Sequence, residues 1–282
     1  MNFFEALGTY DFLVDALLAA VLSGVACGIV GTYVVTRRLV FLGGGITHAS
    51  FGGIGIAYHF GHNPIGGAMI FAILSALGIE WAGAKGRIRE DSAIGIVWSL
   101  GMAIGTLFIF ATPGYAPNLM SFLFGDVLTV GHSNIVALEV LVGVLCVVML
   151  LWYRPVMWAS FDKDYARSQG VRANLILTAM TVLTAITIVL SIRIVGIVLL
   201  ISLLTVPAVI ASALTKSYPR ILLLASLFAV VGNVVGLWVA YEVDFPVGAT
   251  TIILLGITLF IVKLLTLPSH RRKSARRREN LS

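Results

Sequence analysis

Residues 152–172 read Trp-Tyr-Arg-Pro-Val-Met-Trp-Ala-Ser-Phe-Asp-Lys-Asp-Tyr-Ala-Arg-Ser-Gln-Gly-Val-Arg. Asp162, Lys163, Asp164, Arg167 and Arg172 crowd into this short span, whereas the chain on either side is apolar enough to dissolve in lipid. Arg154-Pro155 is expected to stop the helix before it, since proline removes a backbone donor and clashes with the preceding turn. Gly170 supplies a helix-ending position after residues 162–169. The stretch reads as a short polar helix on the aqueous side of a membrane protein. It joins two bundles of membrane helices, either as a docking surface for a partner or as a solvated connection.

Composition supports this frame. The chain has 282 residues, of which 59% are hydrophobic and 11% charged, against about 25% charged in a soluble domain. Such a chain cannot cover itself with polar surface, so its solvent is lipid. The apolar runs are unbroken and about 20 residues long, the length a helix needs to cross the hydrocarbon. A transmembrane barrel would instead alternate polar and apolar residues in short strands. The fold class is therefore an all-α polytopic membrane protein. Residues 1–10 lack a basic n-region, so a cleavable signal is not expected. Cys27 and Cys146 both lie inside apolar runs and read as small buried residues.

Expected spans are 12–36, 39–60, 64–84, 92–112, 133–153, 173–191, 194–215, 220–241 and 247–266. Alternate connections then share a side, and every lysine and arginine except Arg193 falls on one of them. The positive-inside rule makes that side cytoplasmic and puts the C-terminus there. The turn at Arg37-Arg38 is very tight. If it is re-entrant, the count is eight rather than nine. Residues 1–266 form one membrane domain with a cytoplasmic loop at 154–172. Residues 267–282 form a basic cytoplasmic tail suited to anionic lipid; nucleic acid is not an expected partner.

Several positions carry candidate chemistry. The first span has Gly24, Gly28 and Gly31, spaced for close helix approach. The second runs through Gly43, Gly44, Gly45, His48, Gly52, Gly53 and Gly55, where tight packing or local unwinding could line a cavity. His48 is an ionisable side chain at membrane depth, open to the alternative of a hydrogen bond to a neighbouring backbone. Asp126 lies in 119–130, too short to span, as an outer guide for a cation or as a half-helix cap. Glu139 is a carboxylate inside a span, and so a candidate for a pathway or for a helix–helix pair. Pro207, with Ser202 and Thr205, is expected to kink the seventh span. His48 and Asp126 are the expected contacts along such a pathway.

Other chemistry is missing. There is no Gly-x-x-x-x-Gly-Lys-Ser/Thr loop, Gly-x-Ser-x-Gly or His-Glu-x-x-His. No catalytic residue is assigned and no cofactor is expected on the chain. A pathway protein remains, driven by a partner or by an ion gradient.

Three stretches together resemble the permease subunits of bacterial ABC importers for divalent metal ions, the zinc/manganese/iron group. The first runs from Gly31 through Arg37-Arg38 to His48-Ala49. The second comprises Arg89 to Ile96, then Phe122 to Leu128. The third comprises Phe161 to Val171, similar to the family's ATPase-docking loop, and Val195 to Ala208 after it. The likeness covers about residues 15–265. It implies the type II architecture of vitamin B12 and siderophore importers, with eight to nine transmembrane helices. It also implies a homodimer, two ATP-binding subunits that hydrolyse ATP in its place, and an extracytoplasmic metal-binding protein. The setting is the bacterial inner membrane. Asp162, Asp164, Arg167 and Gly170 become the expected ATPase-coupling residues. One position departs from the family pattern: the usual aspartate four residues before the histidine is Gly44 here. The resemblance makes His48 and Asp126 the expected transient metal contacts, and with Gly44 in that place imidazole should matter more than carboxylate, which leans toward zinc or iron over manganese. Siderophore or cobalamin-like cargo is the alternative within this fold, and an ion-coupled secondary carrier is the alternative outside it.

Overall fold

The regular elements among the described residues are all α-helices. The computed structural model describes residues 2–84, 88–113, 125 and 131–279, with side chains through 266. A short helix α1 (Phe3–Leu7) precedes α2 (Asp11–Thr36), α3 (Val40–His59), α4 (Pro64–Ala84) and α5 (Glu90–Phe110). Then come α6 (His132–Phe161), the short α7 (Lys163–Ser168), α8 (Ala173–Val195), α9 (Ile197–Leu214), α10 (Tyr218–Val243) and α11 (Val247–Glu279). Nine of these are long and apolar enough to cross a membrane, α11 over Val247–Thr266. The two helices flanking Arg37-Arg38 are separate candidate spans, which favours nine crossings over eight. Arg38 takes a left-handed φ of 60° at the turn between them.

The expected stop at Arg154-Pro155 is not where the helix ends. The backbone leaves helical geometry at Trp152 (φ −124°, ψ 20°), and the helix resumes through Pro155 to Phe161. Pro155 thus falls in the first turn after the break, where a missing N–H costs little. The start of α5 also differs from expectation. Arg89 is its N-cap, and Glu90 and Asp91 lie in the first turn, where carboxylates favour the positive end of the helix dipole.

Small residues set the packing. A Cβ on Gly24 of α2 would lie 2.8 Å from the Cα of Val230 in α10, and one on Gly52 of α3 would lie 2.9 Å from the carbonyl oxygen of Gly101 in α5. Helices meet there backbone to backbone, as they do in lipid without a hydrophobic drive. A core of Leu138, Leu145, Leu177, Ile188, Leu200 and Leu203 fills the centre. Leu107, Phe110, Leu150 and Leu265 stand exposed on the outside, as lipid-facing side chains do. Asn233 of α10 donates to the Ala20 carbonyl (3.0 Å) and the Ser23 hydroxyl (3.3 Å), tying α10 to α2.

Candidate functional site

The pathway candidates separate. His48 lies half-buried on α3, and its imidazole stacks on the indole of Trp98 from α5, centroids 4.5 Å apart and planes 8° apart. Gly44, one turn earlier, faces the same indole: an added Cβ would lie 3.4 Å from Trp98 Cζ3 and 3.7 Å from Ile201 Cδ1. The space that an aspartate would occupy in the family pattern is thus bounded by Trp98. Glu139 is exposed on α6 and, among the described residues, has no hydrogen-bond or ion-pair partner. Asp126 lies outside the described residues. Its neighbour Gly125, at φ 74°, rests on the junction of α8 and α9, where an added Cβ would lie 2.5 Å from the Ile194 carbonyl oxygen. No three His, Cys, Asp or Glu side chains come together to hold a metal among the described residues.

Near α9, Pro207 sits inside a helix that runs unbroken from Ile197 to Leu214. Thr205 Oγ1 donates to the carbonyl oxygens of Ile201 (2.8 Å) and Ser202 (3.4 Å). The carbonyl that Pro207 leaves without a donor is four residues back, at Leu203. The Thr205 hydroxyl does not supply that donor, since it bonds the carbonyls one and two residues earlier.

The short polar helix forms as its sequence requires. Asp162 is the N-cap of α7; its carboxylate accepts from the backbone N–H of Asp164 (2.9 Å) and Tyr165 (3.0 Å). At the other end Gly170 has φ 78°. The Val171 N–H bonds the Ala166 carbonyl (3.0 Å) and the Gly170 N–H bonds that of Arg167 (2.9 Å). This pair closes the helix with a left-handed glycine. Ala166 is fully buried, and Trp158 meets Tyr165 edge-on with centroids 6.0 Å apart, so α7 is seated on α6. Asp164, Tyr165, Arg167 and Gly170 remain exposed. Arg167 pairs with Asp164 at 2.9 Å and donates to Asn174.

A third cluster was not expected. The guanidinium of Arg37, at the end of α2, forms ion pairs with Glu80 of α4 and, at 2.8 Å, with Glu90 of α5. Lys163 of α7 reaches the same Glu90 oxygen at 3.0 Å. Thr181 of α8 donates to Glu80 (2.6 Å) and lies 2.9 Å from the hydroxyl of Tyr33, which also accepts from Arg37 (2.7 Å). Two cations and two carboxylates therefore balance across four elements at the basic end of the bundle, with Thr181 of a fifth bonded to Glu80. Burial alone would push the Arg37 guanidinium down. The neighbouring Tyr33, Glu80 and Glu90 outweigh it and hold it above its ordinary value. The signal for this cluster was Glu80, a carboxylate inside the span 64–84, which required a cation on a neighbouring helix.

Comparison with known proteins follows the same outline. Residues 9–266 match the model of the ABC 3 transport family. The chain is 34% identical over 259 residues to the manganese transport system membrane protein MntC of Halalkalibacterium halodurans, covering 92% of this chain and 88% of that protein. It is 30% identical over 272 residues to the manganese import system permease protein ScaB of Streptococcus parasanguinis, covering 96% of each. Among solved structures, PsaBC from Streptococcus pneumoniae in complex with Fab superposes with a TM-score of 0.81 at 25% identity, over 92% of this chain and 94% of that one. With a family model matching nearly all of its membrane-spanning length, this protein belongs to the ABC 3 transport family.

Proposed function

We propose that the chain is the membrane-spanning permease subunit of an ATP-driven importer of divalent metal ions, with manganese as cargo. The observation that carries this is the union of two features. One family match runs through all nine candidate spans, and α7 presents Asp164, Tyr165 and Arg167 at the basic end. A compact, capped polar helix of this kind suits a cleft on a soluble ATP-binding subunit. ATP is hydrolysed on that subunit and not on this chain. The basic end, with the tail at 267–282, is cytoplasmic by the positive-inside rule. Two copies enclose the path, and an extracytoplasmic metal-binding protein delivers the ion across the bacterial plasma membrane.

The relatives named for manganese shift the expected cargo away from zinc or iron, which the lack of a carboxylate at Gly44 had favoured. A path that releases its ion needs weak transient contacts rather than a filled coordination shell, so a lone imidazole at His48 is compatible with manganese. Glu139, exposed on α6, and Asp126 remain candidate charges along the route. Siderophore or cobalamin-like cargo and ion-coupled carriage gain no support from these relatives.

The test is uptake of radioactive manganese, zinc and iron in cells lacking other importers, paired with capture of the ATP-binding subunit in detergent. The wild type should import manganese and capture its ATPase. The double variant Arg167→Glu/Gly170→Val should insert normally and lose both. Full capture and full uptake by that variant would remove α7 as the docking element; zinc uptake exceeding manganese would reverse the cargo.

A further inference from the structure

The charged side chains of the segment 162–167 divide into two sets. Asp162 caps α7, while Asp164 and Arg167 pair with each other on its exposed face. Lys163 instead turns inward and ends 3.0 Å from Glu90 Oε1. Glu90 is the first residue of α5, and its other partner is the buried guanidinium of Arg37. That guanidinium is itself held to Glu80 of α4 and Tyr33 of α2. Glu90 is therefore shared between α7 at the surface and an anchored ionic core.

The same helix leads to the pathway candidate. Spacings of four, four, three and four place Glu90, Ile94, Trp98, Gly101 and Gly105 along one face of α5. That face lies on α3: Ile94 sits against Gly45, Trp98 against Gly44 and His48, and Gly101 against Gly52. Glu90 and Trp98 are about 12 Å apart along the axis at the rise of an α-helix. A helix is stiff over that length, so a displacement applied at its first residue reaches the indole. Gly83 of α4 leaves room for this arm; an added Cβ there would lie 2.8 Å from Glu90 Cγ.

We propose that Lys163 and Glu90 form a coupling relay, in which the ion pair carries movement of α7 into α5 and so to the Trp98–His48 stack. This rests on the reading of α7 as the ATPase-docking helix. It adds two positioning residues for transport that act through α5 and touch no cargo themselves. The remaining seats of α7, through Ala166 and through Trp158 against Tyr165, lead to α6 and α8. Together with the Arg167–Asn174 hydrogen bond to α8, they hold α7 in place without directing force onto α5.

The experiment uses the complete complex in proteoliposomes: the permease, its ATP-binding subunits and the metal-loaded binding protein. Three quantities are read for each variant: capture of the ATPase, ATP hydrolysed, and manganese imported per ATP. Lys163 is partly exposed and Glu90 keeps Arg37 when Lys163 is changed, so Lys163→Gln leaves the buried core intact. Expected for Lys163→Gln and for Glu90→Gln is normal capture, sustained hydrolysis and about tenfold less metal per ATP, a loss typical of one allosteric coupling. Lys163→Arg should restore the ratio, which a merely structural tie does not require. Wild-type metal per ATP in both glutamine variants would overturn the relay. So would loss of ATPase capture by Lys163→Gln, since Lys163 would then be a docking contact. The docking reading is decided separately, by capture with the Arg167→Glu/Gly170→Val variant.

Discussion

The imidazole of His48 and the indole of Trp98 lie nearly parallel, 8° apart in plane and 4.5 Å between centroids, with Gly44 beneath the indole edge. The three residues act as one packing unit. A methyl group at Gly44 would touch Trp98 and Ile201 at ordinary contact distance, and the further atoms of an aspartate are expected to crowd the ring. Gly44→Asp alone should therefore lower manganese uptake by about tenfold, the scale of one contact coupling between neighbours. Gly44→Asp/Trp98→Ala should recover much of that loss and favour manganese over zinc, because the new carboxylate supplies oxygen. Uptake assays of the two single variants and the double variant check this; additive losses would show that Gly44 and Trp98 are independent.

The two adjacent arginines should behave oppositely. Arg37→Ala leaves Glu80 buried without its cation and should cost about 3–5 kcal/mol. Arg38, exposed at φ 60°, should tolerate alanine within about 0.5 kcal/mol. Thermal melting in detergent measures both. Since the Arg37 value is raised in the folded protein, its stabilisation is complete below its unfolded value and persists across neutral pH. It is lost only as pH rises toward strong alkali.

That pair shows how far the sequence can be read. The membrane helices and the polar segment follow from hydropathy, because lipid punishes any other arrangement; the tight turn at Arg37-Arg38 leaves the count at eight or nine from sequence alone. The α7 cap at Asp162 and the glycine stop at Gly170 are local chemistry and appear where the residue types place them. The ionic cluster is not local: Arg37, Glu80, Glu90 and Lys163 are brought together by helix packing, which residue spacing along the chain does not encode. Glu139 and Glu80 are both carboxylates within spans, and only the first is a candidate from sequence. One is exposed and the other buried against Arg37 and Thr181, and helix rotation in the bundle decides which.

Glycines divide in the same way. Gly24 of α2 meets the backbone of Val230, whereas Gly143 of α6 has nothing within 4 Å of an added Cβ. Gly24→Ala should force α2 and α10 apart and cost about 1–3 kcal/mol. Gly143→Ala should be neutral or stabilising by up to about 1 kcal/mol, since alanine is the better helix former. Melting temperatures of the two variants, purified in one detergent, test the packing; equal shifts would contradict it.

Pro207 poses the last test. It is buried in the middle of α9, and the helix continues through it without a break. The Leu203 carbonyl nevertheless loses its usual donor, so this turn of α9 is held by one hydrogen bond fewer. A turn of that kind can bend at lower cost than its neighbours, and alternating access needs packed helices with two arrangements. α9 lies against Gly31 of α2 through the Leu204 backbone and reaches Gly44 through Ile201, so a bend there shifts the wall beside His48. Pro207→Ala restores a donor and should raise stability by about 1 kcal/mol while slowing ATP-driven uptake. Melting and uptake are measured on the same preparation. A protein that melts higher yet imports at the wild-type rate would show Pro207 to be a fixed feature of the bundle, with the bending that transport needs located elsewhere.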